Sequence, residues 1–263
     1  MEKAVQQTVQ NIRVNRMAVV DVEHIVFAFS GNATIINNVT FSADKSEFVS
    51  IIGPSGCGKS TLLRIMAGLI KPTSGRVMYH GREITHPVNG ISFVFQDFGL
   101  LPWLTSTENV KLGLSLMTIS EEKKEKRARL LLDKIGLHGF EDSYPNVLSG
   151  GMKQRVGLAR AIVSDPQVLL MDEPFSSVDE LTADALRSDV VDMLKNKKIS
   201  VSSVIMVTHN VEEAVELSDK IVVLSDKPAV IKKIISVEIK YPRSRRSKEF
   251  MDAADNVYAA LTG

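Results

Sequence analysis

Several short stretches hold residues whose types and spacing could carry phosphate chemistry. GPSGCGKST at 53–61 fits G-x-x-x-x-G-K-[ST] through Gly53, Gly58, Lys59 and Ser60. Glycines there let successive backbone N–H groups turn inward around phosphate oxygens, and the positive end of a following helix favours the same anion. Gly53, Pro54, Ser55, Gly56, Cys57, Gly58 and Thr61 form the cradle, Lys59 reaches the terminal phosphates, and Ser60 ligates Mg²⁺. VLLMDEP at 168–174 ends an apolar run in two adjacent carboxylates. Asp172 is placed to hold Mg²⁺ through water, and Glu173, one residue further out, to polarise an attacking water. In VIMVTHN, His209 follows another apolar run, where a neutral imidazole can donate to a γ-phosphate oxygen and hold that water in line. Gln96, in FVFQDFG, can ligate Mg²⁺ or water without adding charge, although residue type alone favours a plain loop position. LSGGMKQRVGLAR at 148–160 sets Ser149, Gly150 and Gly151 before a helical run, which is a second anion cradle in one chain.

These residues need a scaffold that presents strand ends. Phe48–Ile52, Val168–Met171, Val204–Val207 and Ile221–Leu224 are short apolar runs without alternation, as expected of parallel strands covered on both faces. After Lys59, the residues Leu62, Leu63, Ile65, Met66 and Leu69 keep helical spacing, and Gly68 with Pro72 marks the stop. Val39–Phe41 and Arg76–Tyr79 read as antiparallel strands with turns. From about Pro102 to Ser164 the pattern is helical, including EEKKEKRARLLLDKIGL at 121–137 with opposite charges at Glu122/Lys126 and Glu125/Arg129. Beyond Lys227 the reading is one strand, Ile231–Ile239, and an exposed basic turn, YPRSRRSKE.

Composition narrows the classes. At 263 residues and 44% hydrophobic, the chain can bury a sizeable core. Lys plus Arg is 32 against Asp plus Glu 31, so the net charge of +1 offers no whole-molecule field for nucleic acid. The single cysteine, Cys57, excludes an internal disulfide framework and fits a reducing compartment. Its place near a helix start favours the thiolate and predicts inhibition by maleimide. The start, MEKAVQQTVQNIRVN, lacks the apolar core of a signal peptide, and no stretch reaches about 18 apolar residues. If the chain works at a membrane, another subunit must hold it there.

The order of GPSGCGKST, Gln96, LSGGMKQR, VLLMDEP, SSVD at 176–179 and His209 resembles the ATP-binding cassette family over about residues 18–240. The resemblance implies an α/β fold: a P-loop NTPase core with a parallel sheet, an antiparallel β subdomain and a helical insertion at about 98–164. An N-terminal extension, 1–17, and a short C-terminal tail, 241–263, flank it. It also implies ATP and Mg²⁺, and a head-to-tail pair of cassettes in which Ser149, Gly150 and Gly151 of one meet the γ-phosphate held by the other. Met152 stands where the family pattern LSGGQ has Gln, and SSVD keeps Asp179, the important residue of the D-loop. Phe29, in VFAFSGN, occupies the place of an adenine-stacking tyrosine and keeps the stacking face.

Within the family, FGLLPWLTSTENV at 98–110 is similar to the nitrate, sulfonate and taurine importers. That likeness implies an ATP-hydrolysing importer subunit at the cytoplasmic face of the membrane, with a separate permease, a solute-binding protein acting indirectly, and no nucleic acid. Exposed Phe98, Leu101, Trp103 and Leu104 would form a groove for a coupling helix of the permease. The insertion is too short for the coiled coil of a DNA-repair cassette, and one motif set is half of what a translation-factor cassette carries. A soluble cassette acting in cofactor assembly remains the alternative.

Overall fold

The structure, a computed structural model, describes residues 18–29, 33–176, 183, 184, 187 and 201–263. The expected D-loop residue Asp179 lies outside them. Two sheets divide the molecule. A six-stranded sheet runs in the order β10-β9-β3-β8-β7-β6, from Ile231–Ser236, Lys220–Leu224, Phe48–Ile52, Ser203–Val207, Val168–Asp172 and Ile91–Val94. The five strands from β9 to β6 pair in parallel, and β10 closes the edge antiparallel to β9. Every residue of β3, β7, β8 and β9 is buried, which is why their sequences show no alternation.

The second sheet is antiparallel, in the order β2-β1-β4-β5, from Thr34–Asp44, Ala18–Ala28, Ser74–Tyr79 and Arg82–Glu83. Its inward residues Val22, Ile25, Phe27, Val39 and Phe41 share one core with Ile51, Val207 and Val222 of the large sheet. Helix α1, Lys59–Met66, lies in that core through Leu62, Leu63, Ile65 and Met66. It ends at Gly68, whose φ of +71° is open to glycine and where a Cβ would stand 2.6 Å from the His86 carbonyl.

The insertion carries α2 (Ser106–Lys111), α3 (Glu121–Lys134) and α4 (Gly150–Ile162). Each begins at a hydroxyl cap, Thr105, Ser120 or Ser149, and Thr105 with Glu108 forms a reciprocal capping box. Val110, Leu114, Ala128, Leu132, Leu137, Val156 and Ala159 make its core, and Glu125 pairs with Arg129 at 2.8 Å on the surface. Leu158, Ala161 and Ile162 turn the other face of α4 onto Val94, Leu169 and Met171 of the large sheet. Buried Asn109 fixes the Leu101–Thr105 turn, its amide meeting the carbonyls of Leu101, Leu104 and Thr105 and its Oδ1 accepting the Leu101 N–H.

The C-terminal segment departs from expectation. Strand β10 stops at Ser236, and Lys248–Thr262 is a helix, α6, which the sequence reading did not anticipate. Phe250, Ala254 and Val257, spaced at four and three residues, pack it over α5 (Val211–Leu217) and β9. The basic stretch is not simply exposed. Arg243 is buried, its guanidinium donating to the carbonyls of Val215 at 2.7 Å, Ser218 at 2.6 Å and Ile239 at 2.8 Å while lying 4.1 Å over the Tyr241 ring. Burial lowers the affinity of Arg243 for its proton and raises that of the Tyr241 phenol. Arg245 pairs with Glu216 at 2.7 Å. Among the described residues no helix is long and apolar enough to cross a membrane.

Candidate nucleotide site

The site is built on the carboxyl ends of β3, β6, β7 and β8, where an open α/β sheet places its ligands. Gly53–Gly58 joins β3 to α1. Gly56 sits at φ +76° with open space where a side chain would project, and Gly58 at φ +115° in the left-handed region. A Cβ on Gly58 would also lie 2.9 Å from the Ile35 side chain. Helix α1 has no side-chain cap and no acidic residue in its first turn, so its leading N–H groups and positive end are left for an anion. Lys59 is buried at the start of α1, and its ammonium donates to the carbonyls of Gly53 at 2.8 Å and Pro54 at 2.9 Å, holding the loop in a ring. Ser55 and Gly56 are exposed, and Thr61 is half-buried.

Cys57 corrects the sequence reading. It is fully buried, and burial pushes its thiol above the ordinary value, against the pull of the Lys59 charge. A buried, protonated thiol is a poor target for maleimide, so the expected thiolate is not supported. Cys57 serves the loop through its backbone and packing, its N–H meeting Pro54 O at 3.3 Å.

Asp172, the last residue of β7, is buried, and its Oδ1 accepts the Ser60 hydroxyl at 2.8 Å. Burial raises its carboxyl pKa, opposed by the Ser60 hydrogen bond and by Arg64 and Lys59. The pair fits Mg²⁺: both donors are hard oxygens, and a cation beside a buried carboxylate would offset the cost of its charge. Among the described residues no three His, Cys, Asp or Glu side chains are grouped so as to hold a metal ion by themselves.

Glu173 adopts φ +46°, unusual for a residue with a side chain. Its N–H bonds to Val207 O at 2.9 Å, and its carbonyl accepts the Ser176 hydroxyl at 3.0 Å, so the turn off β7 is held at both ends. The result is a convergence of three strand ends on one oxygen. Glu173 Oε2 receives the Gln96 amide at 3.4 Å and meets His209 Nδ1 at 3.1 Å. Facing a carboxylate oxygen, Nδ1 carries the ring proton, which makes Nε2 of a neutral ring an acceptor. The donation to phosphate anticipated for His209 therefore requires the ring to leave Glu173 or to take a second proton.

Phe29 directly follows β1 with 52% of its surface exposed, its ring edge-on to Phe27 at 5.0 Å. Ser149, by contrast, is engaged within its own helix, its hydroxyl accepting the Met152 N–H at 3.2 Å ahead of Gly150 and Gly151. Helix α4 packs on α2, α3 and β6, whereas α1 packs on β7 and β8, so the two cradles rest on different neighbours. Phe98 is a second correction: at 6% exposed with φ +60° it lies beneath α4, where a Cβ on Gly157 would come within 2.9 Å of it. Arg160 of α4 fastens that turn by donating to the carbonyls of Phe98 and Gly99. Trp103, 68% exposed, keeps the expected outward position. The sequence reading also missed Gln154, whose amide donates to Pro174 O beside Glu173, and the buried Thr208 and Glu213 flanking His209. For the last pair a signal existed in N-x-x-E, since Asn210 caps α5 and Glu213 stands at its third position.

A glycine loop opening an uncapped helix, a hydroxyl–carboxylate pair beside it and a glutamate set between glutamine and histidine define a nucleotide-hydrolysing P-loop protein. The ABC transporter family matches residues 36–176. The chain is 41% identical over 228 residues to the aliphatic sulfonates import ATP-binding protein SsuB of Bacillus cereus, covering 87% of this chain and 88% of that protein. It is 36% identical over 256 residues to the nitrate import ATP-binding protein NrtD of Synechocystis, covering 94% and 95%. A solved dimeric ATP-binding cassette in a post-hydrolysis state, bound to ADP and Pi, shares the fold at a TM-score of 0.73 and 30% identity, over 84% of this chain and all 100% of that one. The chain belongs to the ABC transporter family and is an ATP-binding subunit with ATPase activity.

Proposed function

We propose that the chain is the ATPase of an importer for a small oxyanion-bearing solute of the nitrate, sulfonate or taurine kind, working as a pair of cassettes bound to a separate permease at the cytoplasmic face of the membrane. The observation that carries the hydrolytic part is the meeting of Gln96 and His209 at Glu173, next to the buried Ser60–Asp172 pair. The import part is supported by the printed roles of SsuB and NrtD.

In this reading the loop from Gly53 to Thr61 binds the phosphates through backbone N–H groups, and Lys59 exchanges its loop carbonyls for phosphate oxygens. Ser60, Asp172 and Gln96 would hold Mg²⁺, which supplies neutralising charge for phosphoryl transfer. Glu173 takes the proton of the attacking water, and His209 holds that water in line. The exposed Phe29 ring stacks on adenine. Ser149, Gly150 and Gly151, with Asp179, complete the site of a second cassette. The docking surface is narrower than the 98–104 segment suggested: Trp103 leads it, flanked by half-buried Leu101 and Leu104 on the turn that Asn109 holds.

Glu173→Gln tests the hydrolytic reading, because it removes the base and keeps shape. The expected result is a fall in kcat of about 100-fold or more, with ATP binding retained and a dimer trapped by Mg-ATP on gel filtration. An unaltered kcat would remove Glu173 from the chemistry. For import, the chain copurified with its permease should hydrolyse ATP faster when a solute-loaded binding protein is added; indifference to that protein would favour a cassette outside transport.

A further inference from the structure

Behind His209 lies a chain of buried polar groups that the hydrolytic reading does not use. Thr208 and Glu213 are buried, and Arg187 is 1% exposed. The Thr208 hydroxyl donates to Glu213 Oε2 at 2.7 Å, and Arg187 Nη1 donates to Glu213 Oε1 at 3.1 Å. Thr208 Oγ1 in turn accepts the Asn210 N–H at 3.0 Å, and Asn210 Oδ1 accepts the Glu213 N–H at 3.1 Å. His209 thus stands between two residues that are both tied to Glu213, Thr208 through its carboxylate and Asn210 through its backbone N–H. Its own side chain is 62% exposed, so its aim at Glu173 depends on the backbone that carries it rather than on a packed wall.

A carboxylate costs several kcal/mol to bury unless it is paired and hydrogen-bonded. Here each oxygen has a partner on a different segment, which fixes the group in place as well as offsetting that cost. Arg187 also approaches Glu216 Oε2 at 3.5 Å, the oxygen that Arg245 meets at 2.7 Å, so the C-terminal segment joins the same network. We infer that Glu213 is a positioning residue for ATP hydrolysis: held between Thr208 and Arg187, it sets the backbone of residues 208–210 and so keeps the His209 ring on Glu173. The inference rests on the role proposed above for His209.

The test is a double-mutant cycle on the full-length chain, read as steady-state ATPase. Thr208→Val removes the hydroxyl and keeps the shape. It lowers kcat about tenfold with KM for ATP unchanged, as expected of a misplaced group in an otherwise intact site, and Thr208→Ser restores most of the rate. In a His209→Ala background the same valine changes the residual kcat by less than about twofold, because no ring is left to aim. Equal losses in both backgrounds, or a loss carried by KM, overturn the inference while leaving the site reading intact. An unaltered kcat in His209→Ala alone overturns the site reading and the inference with it. Glu213→Gln, taken through the same two backgrounds, decides the matter should the valine variant fail to fold.

Discussion

The two glycine cradles of this chain are finished in opposite ways. At 53–61 the helix start is uncapped, two glycines hold positive φ, and the lysine ammonium binds the loop to itself. At 148–151 the helix start carries its own cap, Ser149 to Met152, and neither Gly150 nor Gly151 needs a left-handed backbone. The first loop has no side-chain acceptor for its leading N–H groups, whereas in the second the Ser149 hydroxyl satisfies one of them. On the function proposed above, the difference separates a site the chain builds for its own ligand from a surface whose glycines matter when a second cassette approaches. Glycine in the second cradle is a choice against helix stability, which favours alanine there by about 0.5–1 kcal/mol.

Substitution at each cradle tests that contrast. Gly58→Ala should have the largest effect: a side chain at φ +115°, pressed on Ile35, costs about 1–3 kcal/mol and reshapes the loop. Fluorescent-nucleotide titration should show affinity falling about 100-fold, or roughly 2.7 kcal/mol. Gly151→Ala should act in the opposite sense on stability, leaving the fold as stable or more so by about 0.5–1 kcal/mol in denaturant. Nucleotide affinity of the dilute chain should not change, while ATPase at high protein concentration falls about tenfold as the close approach of a second cassette is blocked. Loss of affinity in the dilute chain would place this cradle on the chain's own nucleotide.

The smallest effect belongs to Asp172, which sets the first cradle apart electrostatically. Burial raises its pKa in the folded state, so the folded chain binds the extra proton more readily than the unfolded one. The cost of its charge is absent in acid and grows as pH rises from the ordinary carboxylate range through the raised folded value. Asp172→Asn removes that cost. Without Mg²⁺ or nucleotide, the variant should melt at a higher Tm than the parent at neutral pH, and the advantage should vanish on acidification. A variant of equal stability at every pH would mean that Ser60 and the neighbouring cations already compensate the carboxylate.

Much of this arrangement was legible from residue pattern. Phe48–Ile52 and Val168–Met171 read as covered strands because parallel strands need apolar residues on both faces, and the motif residues at their ends followed directly. Other features were not legible, for physical reasons. Phe98 is apolar like Trp103 beside it, and only the packing of Gly157 against it decides which of the two is covered. Cys57 lies at a helix start, which favours a thiolate, but the desolvation that outweighs this comes from elements distant in sequence. Helix α6 had its signal in the spacing of Phe250, Ala254 and Val257, masked by the charged run before it.

What the sequence by itself determined is the inventory: a phosphate loop, two adjacent carboxylates at a strand end, a strand-end histidine and a capped second glycine cradle, each marked by backbone geometry or local hydrogen bonding that neighbouring residues impose. What only the tertiary structure decided is how these parts aim at one another. Gln96, Glu173 and His209 come together at one oxygen because β6, β7 and β8 lie side by side, and Thr208 finds Arg187 through Glu213 because α5 is clamped beneath the C-terminal segment. Such contacts depend on strand order and helix packing, which join residues far apart in the chain and leave no periodicity within it.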